Sequence, residues 1–390
     1  MIPVARLIAR LNVGGPAIHT ILLTQLLNPA RFASTLITGT VSPSEGDMIY
    51  LADERGVTPR FIPELGREIR WQDDPIAFWK IFRLLRQLRP TIVHTHTAKA
   101  GMLGRLAAKL AGVPILVHTF HGHVFHSYFS PRKTQIFLGI ERTLAKFSDA
   151  IITISPKQRQ EILGYGIGTP EKVRQIGLGL ELQPFVECDR LRGTLCRELQ
   201  VGDNVPLIGI VARLVPVKGH VYFLEAAQIV AQFFPNARFL IIGDGELREE
   251  LEARADKLNI RQNVIFLGFR RDLPEIYADL DIIALSSLNE GLPVTLIEGL
   301  AAGKPAVASN VGGVGDLVQH ERSGLLVPSK DSRAFADALC DLLRRSPEER
   351  RQMGLVGRDT VYPKYHIATL AQEIERLYDE LLISRGISTT

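Results

Sequence analysis

Two glutamates, Glu290 and Glu298, stand with seven residues between them in residues 287–298, SLNEGLPVTLIE. The upstream residues 281–285 form a short apolar run with polar flanks, which reads as a buried strand. Gly291, Leu292 and Pro293 follow as a loop, and Val294 opens a helical run over 294–300. Pro293 fits the first helical position, where a missing N–H costs nothing. The free N–H groups of that first turn make an anion site. Glu290 is then carried by the loop and Glu298 by the helix, about one turn in. An anion site with a carboxylate on either side suits a ligand with both phosphate and several hydroxyls, as a nucleotide-sugar has. The plain alternative is a strand-to-helix corner with two solvated glutamates, since Glu is mostly exposed.

Other residues lend weight to the first reading. Arg213 and Lys218, in ARLVPVKGH, put a guanidinium and an ammonium five positions apart. Such a pair can clamp a diphosphate from two sides. It is also what two surface cations look like. The glycines of Gly243-Asp244-Gly245 and of Gly312-Gly313 let backbone approach a ligand closely. Gly14-Gly15-Pro16 follows a strand and precedes a helix, giving a second helix N-terminus that faces an acceptor or a transferred group. Histidines are dense in the first third: His94, His96, His118, His121, His123 and His126. A metal cluster is disfavoured, because no carboxylate or cysteine joins them at ligand spacing and they fall on different strand ends. No metal ligands and no resident cofactor are expected. His121 and His123, just past a strand end and beside Gly122, are better placed to touch a ligand.

The elements that must position these residues alternate along the chain. Strands are expected over residues 4–11, 36–39, 92–95, 115–120 and 150–155, with helices over 17–27, 71–88, 99–110, 136–147 and 156–163. Near Gly177, Gly179 and Pro184 the pattern weakens, which marks a domain joint. A second run follows. Strands are expected over 207–211, 237–242, 264–267, 281–285, 306–308 and 325–327, with helices over 223–233, 247–258, 294–300 and 333–343. The last helix, over 366–384, carries Leu370, Ile374, Leu377 and Leu381 in one stripe. Alternation of this kind specifies an α/β fold with open parallel sheets. Ligands of such sheets bind beyond the carboxyl ends of the strands, where the glycine-rich and polar tails named above fall. The expected division is an N-terminal domain over 1–180, a C-terminal domain over 181–363, and a final helix over about 364–390.

Composition agrees. At 390 residues the chain exceeds one core and fits two domains, with 46% hydrophobic and 23% charged residues. A net charge of +4 is too weak to argue for nucleic acid. It is compatible with an anionic ligand or membrane surface. Cys188, Cys196 and Cys340 show neither metal spacing nor a disulfide framework. Cys188 and Cys196 lie in a polar stretch and read as surface thiols in a reducing cytoplasm. No signal peptide and no run of about 20 apolar residues is visible.

In this order the motifs resemble a GT-B glycosyltransferase, specifically the retaining glycosyltransferase family 4. The resemblance covers nearly the whole chain. EGLPVTLIE from Glu290 to Glu298 is its most specific part. It is joined by Gly14-Gly15, Phe120-His121-Gly122, Arg213 with Lys218, Gly243 to Gly245, Leu267 to Phe269, and Gly312-Gly313. The stretch HTHTAKAGMLGRLAAKLAGVP is similar to bacterial members that build exopolysaccharide, capsule or O-antigen. Two positions depart from the pattern: Leu178-Gly179 stands for the usual asparagine-glycine, and Pro16-Ala17 stands where a glutamate is common.

The resemblance implies two Rossmann-like domains facing across a cleft, with the C-terminal helix crossing back to the first. It implies that Arg213 and Lys218 stabilise the departing diphosphate. Glu290 and the backbone of Gly291, Leu292, Pro293 and Val294 would hold the donor sugar and its phosphate. Glu298 would bind the ribose hydroxyls, the base would lie near Phe269 and Arg270, and His121 would contact the donor sugar near the reacting carbon. UDP is expected over GDP, and the acceptor is expected to be a glycan or a lipid-linked one. Two other readings use the same fold: a non-hydrolysing nucleotide-sugar 2-epimerase and a noncatalytic nucleotide-sugar binder. A dehydrogenase is disfavoured, since the first loop lacks G-x-G-x-x-G.

Peripheral contact with an anionic membrane is the remaining expectation. Its candidate surface is the helix over 71–89, where Lys80, Arg83 and Arg86 accompany Phe78, Trp79, Phe82 and Leu85; the alternative is that these aromatics are core and the cations a solvated face, since three-residue spacing drifts around a helix. A second candidate is Tyr128-Phe129-Ser130-Pro131-Arg132-Lys133.

Overall fold

The computed structural model describes every residue except 42–45, 67–69, 123–130, 203 and 389–390, along with all but two side chains of the rest, those of Pro131 and Lys133. The chain divides into two compact units, Met1–Leu180 with Ile367–Thr390, and Glu181–His366.

The first unit is built on a seven-stranded sheet of β1 (Ile2–Arg10), β2 (Phe32–Gly39), β3 (Arg60–Phe61), β4 (Ile92–His96), β5 (Ile115–Phe120), β6 (Ala150–Thr153) and β7 (Val173–Gln175), in the order β3-β2-β1-β4-β5-β6-β7. The second unit has a six-stranded sheet of β8 (Leu207–Val211), β9 (Arg238–Ile242), β10 (Val264–Gly268), β11 (Ile282–Leu285), β12 (Ala306–Ser309) and β13 (Gly324–Val327), in the order β10-β9-β8-β11-β12-β13. Every pairing in both sheets is parallel. Strands such as LIGIV of β8 and IVHTH of β4 are buried throughout. That is what a parallel sheet covered by helices on both faces demands. The strand order reverses between β1 and β4 in one unit and between β8 and β11 in the other. These switch points are where ligands of open parallel sheets bind.

The final helix, Ile367–Ser384, joins the core of the first unit. Its Leu370, Ile374, Leu377, Tyr378 and Leu382 share a cluster with Ile2 and Val4 of β1 and with Leu22 and Leu23. Gly179 makes that approach feasible: a Cβ there would lie 2.5 Å from the Leu370 Cβ and 2.8 Å from the Ile367 Cδ1. The linker position that departs from the family dipeptide at Leu178 thus keeps the glycine that the packing requires.

Several expectations are corrected. β3 and β7 went unforeseen because two or three residues leave no periodicity to read. The helix Pro347–Val361 also went unforeseen, although Ser346 and Glu349 form a capping box that announces it. Pro293 is not the first helical residue but the N-cap of the Val294–Ala301 helix. Cys188 is fully buried rather than a surface thiol, Cys340 is buried too, and all three cysteines are free. Among the described residues no helix is long and apolar enough to cross a membrane.

Candidate active site

The second unit gathers its polar groups at the switch point. β8 runs out through Ala212 and Arg213 to a short helical turn, Pro216–Lys218, and β11 runs out through Ser286 and Ser287 to Glu290. The two tails are laced together: Leu288 N–H donates to the Val217 carbonyl at 2.8 Å, and Ser286 Oγ donates to the Lys218 carbonyl at 3.1 Å. Gly219, at φ 64, closes the turn, and a Cβ there would lie 2.2 Å from the Ser286 carbonyl oxygen. The result is a cation–carboxylate pair: Lys218 Nζ is 2.7 Å from Glu290 Oε1, to which Ser287 Oγ also donates at 2.6 Å. The side chain of Glu290 is 9% exposed and that of Lys218 21%. An ammonium has three donors, and one is spent on Glu290. Arg213, in the same tail, is exposed.

The glycines serve backbone packing first. A Cβ on Gly312, at φ 53, would fall 1.6 Å from the Glu290 carbonyl oxygen, and one on Gly313 would fall 2.2 Å from that of Gly291. Gly313 N–H donates to the Gly291 carbonyl at 3.0 Å. The turn at 312–313 therefore braces the loop carrying Glu290. In the same way Gly243, at φ 136, lies against the Ala212 carbonyl, where a Cβ would approach to 2.0 Å. These contacts occupy the close approaches that the sequence assigned to a ligand.

Glu298 lies in the Val294–Ala301 helix and is buried, with Oε2 lacking a hydrogen-bond partner among the described residues. Burial pushes its carboxyl up to about 8, against a smaller downward pull from the Tyr277 hydroxyl. A buried acid with an unmet oxygen beside a helix start is a place for a hydroxyl donor.

Phe269 is exposed. Arg270 is not available in that way. Its guanidinium holds Glu198 through Nη1 at 2.6 Å and Nη2 at 2.8 Å, and it also pairs with Asp272, which raises its pKa further. The partner that claims it, Glu198, lies in a helix 72 positions upstream, Thr194–Glu198.

The first unit places Gly14 as N-cap of the Gly15–Leu26 helix, with Pro16 in its first turn. His121 follows β5, half-buried, and burial lowers it to about 3. His123 and His126 lie outside the described residues. His96 and His121 do fall on different strand ends, but β4 and β5 are neighbours in the sheet, so the two side chains meet. His96 Nδ1 and His121 Nε2 share a hydrogen bond at 2.9 Å, and their rings stack with centroids 5.1 Å apart. His19, which the sequence did not single out, comes from the Gly15–Leu26 helix to meet both, with centroids 4.8 Å from His121 and 5.7 Å from His96. His94 stacks on His96 at 4.4 Å and is bonded at both nitrogens, to Tyr378 Oη and Thr119 Oγ1, each at 2.7 Å.

On the surface of the same unit, the helix Asp73–Leu88 buries Ala77, Ile81 and Leu85. It exposes Ile76, Trp79, Lys80, Arg83 and Arg86. Trp79 stacks on the half-buried Phe82 at 5.4 Å, and Lys80 pairs with Glu64 at 2.5 Å. Of the second membrane candidate, Tyr128, Phe129 and Ser130 lie outside the described residues.

Comparison with known proteins covers both units. The family model described as Glycosyltransferase Family 4 matches residues 13–183, and the one described as Glycosyl transferases group 1 matches residues 194–360. The chain is 30% identical over 339 residues to the UDP-Gal:alpha-D-GlcNAc-diphosphoundecaprenol alpha-1,3-galactosyltransferase of Escherichia coli, covering 86% of this chain and 87% of that protein. Its fold is similar to that of Anabaena HepE in complex with UDP and glucose, with a TM-score of 0.82 at 20% identity over 97% of this chain and 100% of that one. The complex of HepE with UDP-glucose is similar to the same degree, with a TM-score of 0.82 at 21% identity over 97% and 100%.

Proposed function

This chain belongs to the glycosyltransferases of family 4, with their GT-B fold, and from that premise we propose that it moves a sugar from UDP to a lipid-linked or glycan acceptor. The transfer retains the anomeric configuration, needs no metal ion, and serves the assembly of a bacterial surface polysaccharide. The observation that carries this reading is the Lys218–Glu290–Ser287 cluster at the switch point between β8 and β11. It joins a cation and a carboxylate where a nucleotide lies in open parallel sheets.

The chemistry follows from the groups present. The exposed Arg213 and the remaining donors of Lys218 meet the charge that builds on the diphosphate as the glycosidic bond breaks. N–H groups at the start of the Val294–Ala301 helix add to it. Glu290, oriented by Lys218 and Ser287, accepts from the sugar hydroxyls, and Glu298 meets the ribose hydroxyls. His121 keeps the role at the donor sugar that the resemblance implies. Retention follows if the acceptor attacks from the face that the nucleotide leaves, the departing phosphate oxygen taking the acceptor's proton. Relatives and neighbours support the donor and acceptor: one is named for UDP-Gal and a diphosphoundecaprenol acceptor, another was crystallised with UDP-glucose.

A panel of nucleotide-sugars, scored for released nucleotide with and without a membrane lipid extract, tests donor and acceptor together. Release of UDP that depends on the extract, with an unchanged anomeric configuration in the product by NMR, is the expected result. Turnover only of a GDP-sugar, or an inverted product, overturns the corresponding part.

A further inference from the structure

Three imidazoles from three separate elements converge at the switch point of the first sheet. His19 comes from the Gly15–Leu26 helix, His96 from the end of β4 and His121 from the residue after β5. One ring nitrogen of each lies within 4.8 Å of the others, with His19 and His96 buried and His121 half-buried. Of the other histidines of this region, His94 uses both nitrogens, and His118 Nδ1 meets Thr95 Oγ1 at 2.8 Å while its Nε2 is buried without a partner among the described residues. His118 stands apart from the cluster; what distinguishes the three is that their rings meet. His19 is 2% exposed, yet among the described residues neither of its ring nitrogens has a hydrogen-bond partner. His96 Nε2 and His121 Nδ1 are likewise buried without partners among the described residues. Buried polar atoms in folded proteins are nearly always satisfied, and a cluster that leaves four such nitrogens unmet has the chemistry of an empty ligand set.

We propose that His19, His96 and His121 form a binding site for a first-row divalent transition ion, Zn²⁺ being the closest chemical match. Neutral imidazole is a borderline ligand suited to Zn²⁺, Cu²⁺ or Ni²⁺ rather than to the oxygen-seeking Mg²⁺ or Ca²⁺. A tetrahedral zinc with Zn–N near 2.0–2.1 Å wants its donors about 3.4 Å apart. The three nitrogens lie within 4.8 Å of one another, so an ion would draw them closer together. Three protein ligands leave a fourth position open. The buried Arg6 guanidinium is committed to Thr24, Ser34 and Tyr378. It adds positive charge to the surroundings, which favours hydroxide or another anion in that fourth position. The site shares His121 with the sugar-transfer reading, but the binding test below reads the ion alone and does not depend on transfer.

The test uses the full chain, untagged, stripped with EDTA and exchanged into chelator-free buffer. Titration with ZnCl₂ by calorimetry is expected to show one equivalent bound per chain. Co²⁺ is expected to give the visible d–d bands of a four-coordinate nitrogen-ligated site, without a thiolate charge-transfer band. Affinity should fall at least about tenfold in His19→Ala and in His96→Gln, each checked for folding by circular dichroism. No stoichiometric zinc binding by the wild-type chain overturns the proposal. So does a thiolate band with cobalt, which reads the wild-type protein and needs no variant to fold. So does undiminished binding in both variants, which would mark the ion as held elsewhere.

Discussion

Lys218 Nζ lies 2.7 Å from Glu290 Oε1, bridging the tails of β8 and β11 over 72 positions of sequence. A half-buried pair of this kind is costly to break from one side, because it strands the other charge. Lys218→Ala is therefore expected to lower kcat by about 10²–10³, the loss seen when one preorganised donor to a developing charge is removed. Arg213→Ala should cost about 3 kcal/mol in transition-state stabilisation for the same reason. Because Lys218 and Glu290 touch, Lys218→Ala and Glu290→Gln combined should cost less than the sum of the two. Steady-state kinetics on the wild-type chain and the four variants checks all three, and unchanged kcat in Lys218→Ala or Arg213→Ala sinks the assignment.

Glu298 makes nucleotide binding pH-dependent. Its carboxyl is raised from 4.5 to about 8 by burial, so the empty site holds a proton near pH 7. Ribose hydroxyls donating to the carboxylate favour its charged form and lower that value. UDP binding should then release a proton at pH 7 and tighten as pH rises toward about 8. The folded chain holds this proton over a range where the unfolded one does not, so its contribution to stability falls from about pH 4.5 up through about 8. Calorimetry in two buffers of different ionisation enthalpy measures the release. The same heat in both buffers, or a proton still released by Glu298→Gln, contradicts the role.

Gly312→Ala should disturb the site without touching a ligand. The new Cβ would meet the Glu290 carbonyl oxygen at 1.6 Å, on a backbone at φ 53. A loss of about 3 kcal/mol in stability is expected from the clash and the left-handed conformation together, with a marked drop in kcat/KM. Gly315→Ala, whose Cβ would have its nearest neighbour at 3.6 Å, is the control. Equal melting temperatures for the two variants would show that the brace does not matter.

Chelation and zinc should act in opposite directions from those in a metal-dependent transferase. Activity is expected to survive EDTA and to fall on adding ZnCl₂, since the ion would occupy His121. Loss in EDTA that magnesium or manganese restores would refute metal-independent transfer.

The exposed face of the Asp73–Leu88 helix is expected to bind anionic membranes. Trp79 and Ile76 supply apolar contact, and Lys80, Arg83 and Arg86 supply charge at about 1 kcal/mol per cation near the surface. Sedimentation with liposomes should rise with anionic lipid, fall with salt, and weaken when the three cations are reversed in charge. Wild-type protein that stays in the supernatant at low salt ends the claim.

The α/β alternation and the glycine-rich tails were legible because strand and helix periods are local. The pairings were not. Lys218 meets Glu290 only because β8 and β11 are neighbours in the sheet, a fact that sheet order and not spacing determines. The same ignorance hid Glu198 from Arg270 and kept His96 apart from His121. His19 carried no local signal at all: mid-helix, in an apolar run, it reads as filler until the sheet brings β4 and β5 beneath it. Cys188 misled in the opposite sense, since its polar neighbours point outward while its own side chain faces the core.

The helix Ile367–Ser384 completes a core begun by β1, with all of Glu181–His366 lying between them in the chain. During synthesis on a ribosome the unit begun first is therefore finished last. Its sheet must wait with Ile2, Val4 and Leu22 uncovered until Leu370, Ile374 and Tyr378 emerge, and His94 lacks its Tyr378 partner until then. The second unit has every one of its strands in hand well before that moment. A chain truncated after His366 and released from the ribosome should thus show a protease-resistant second unit and a first unit that is still open to cleavage.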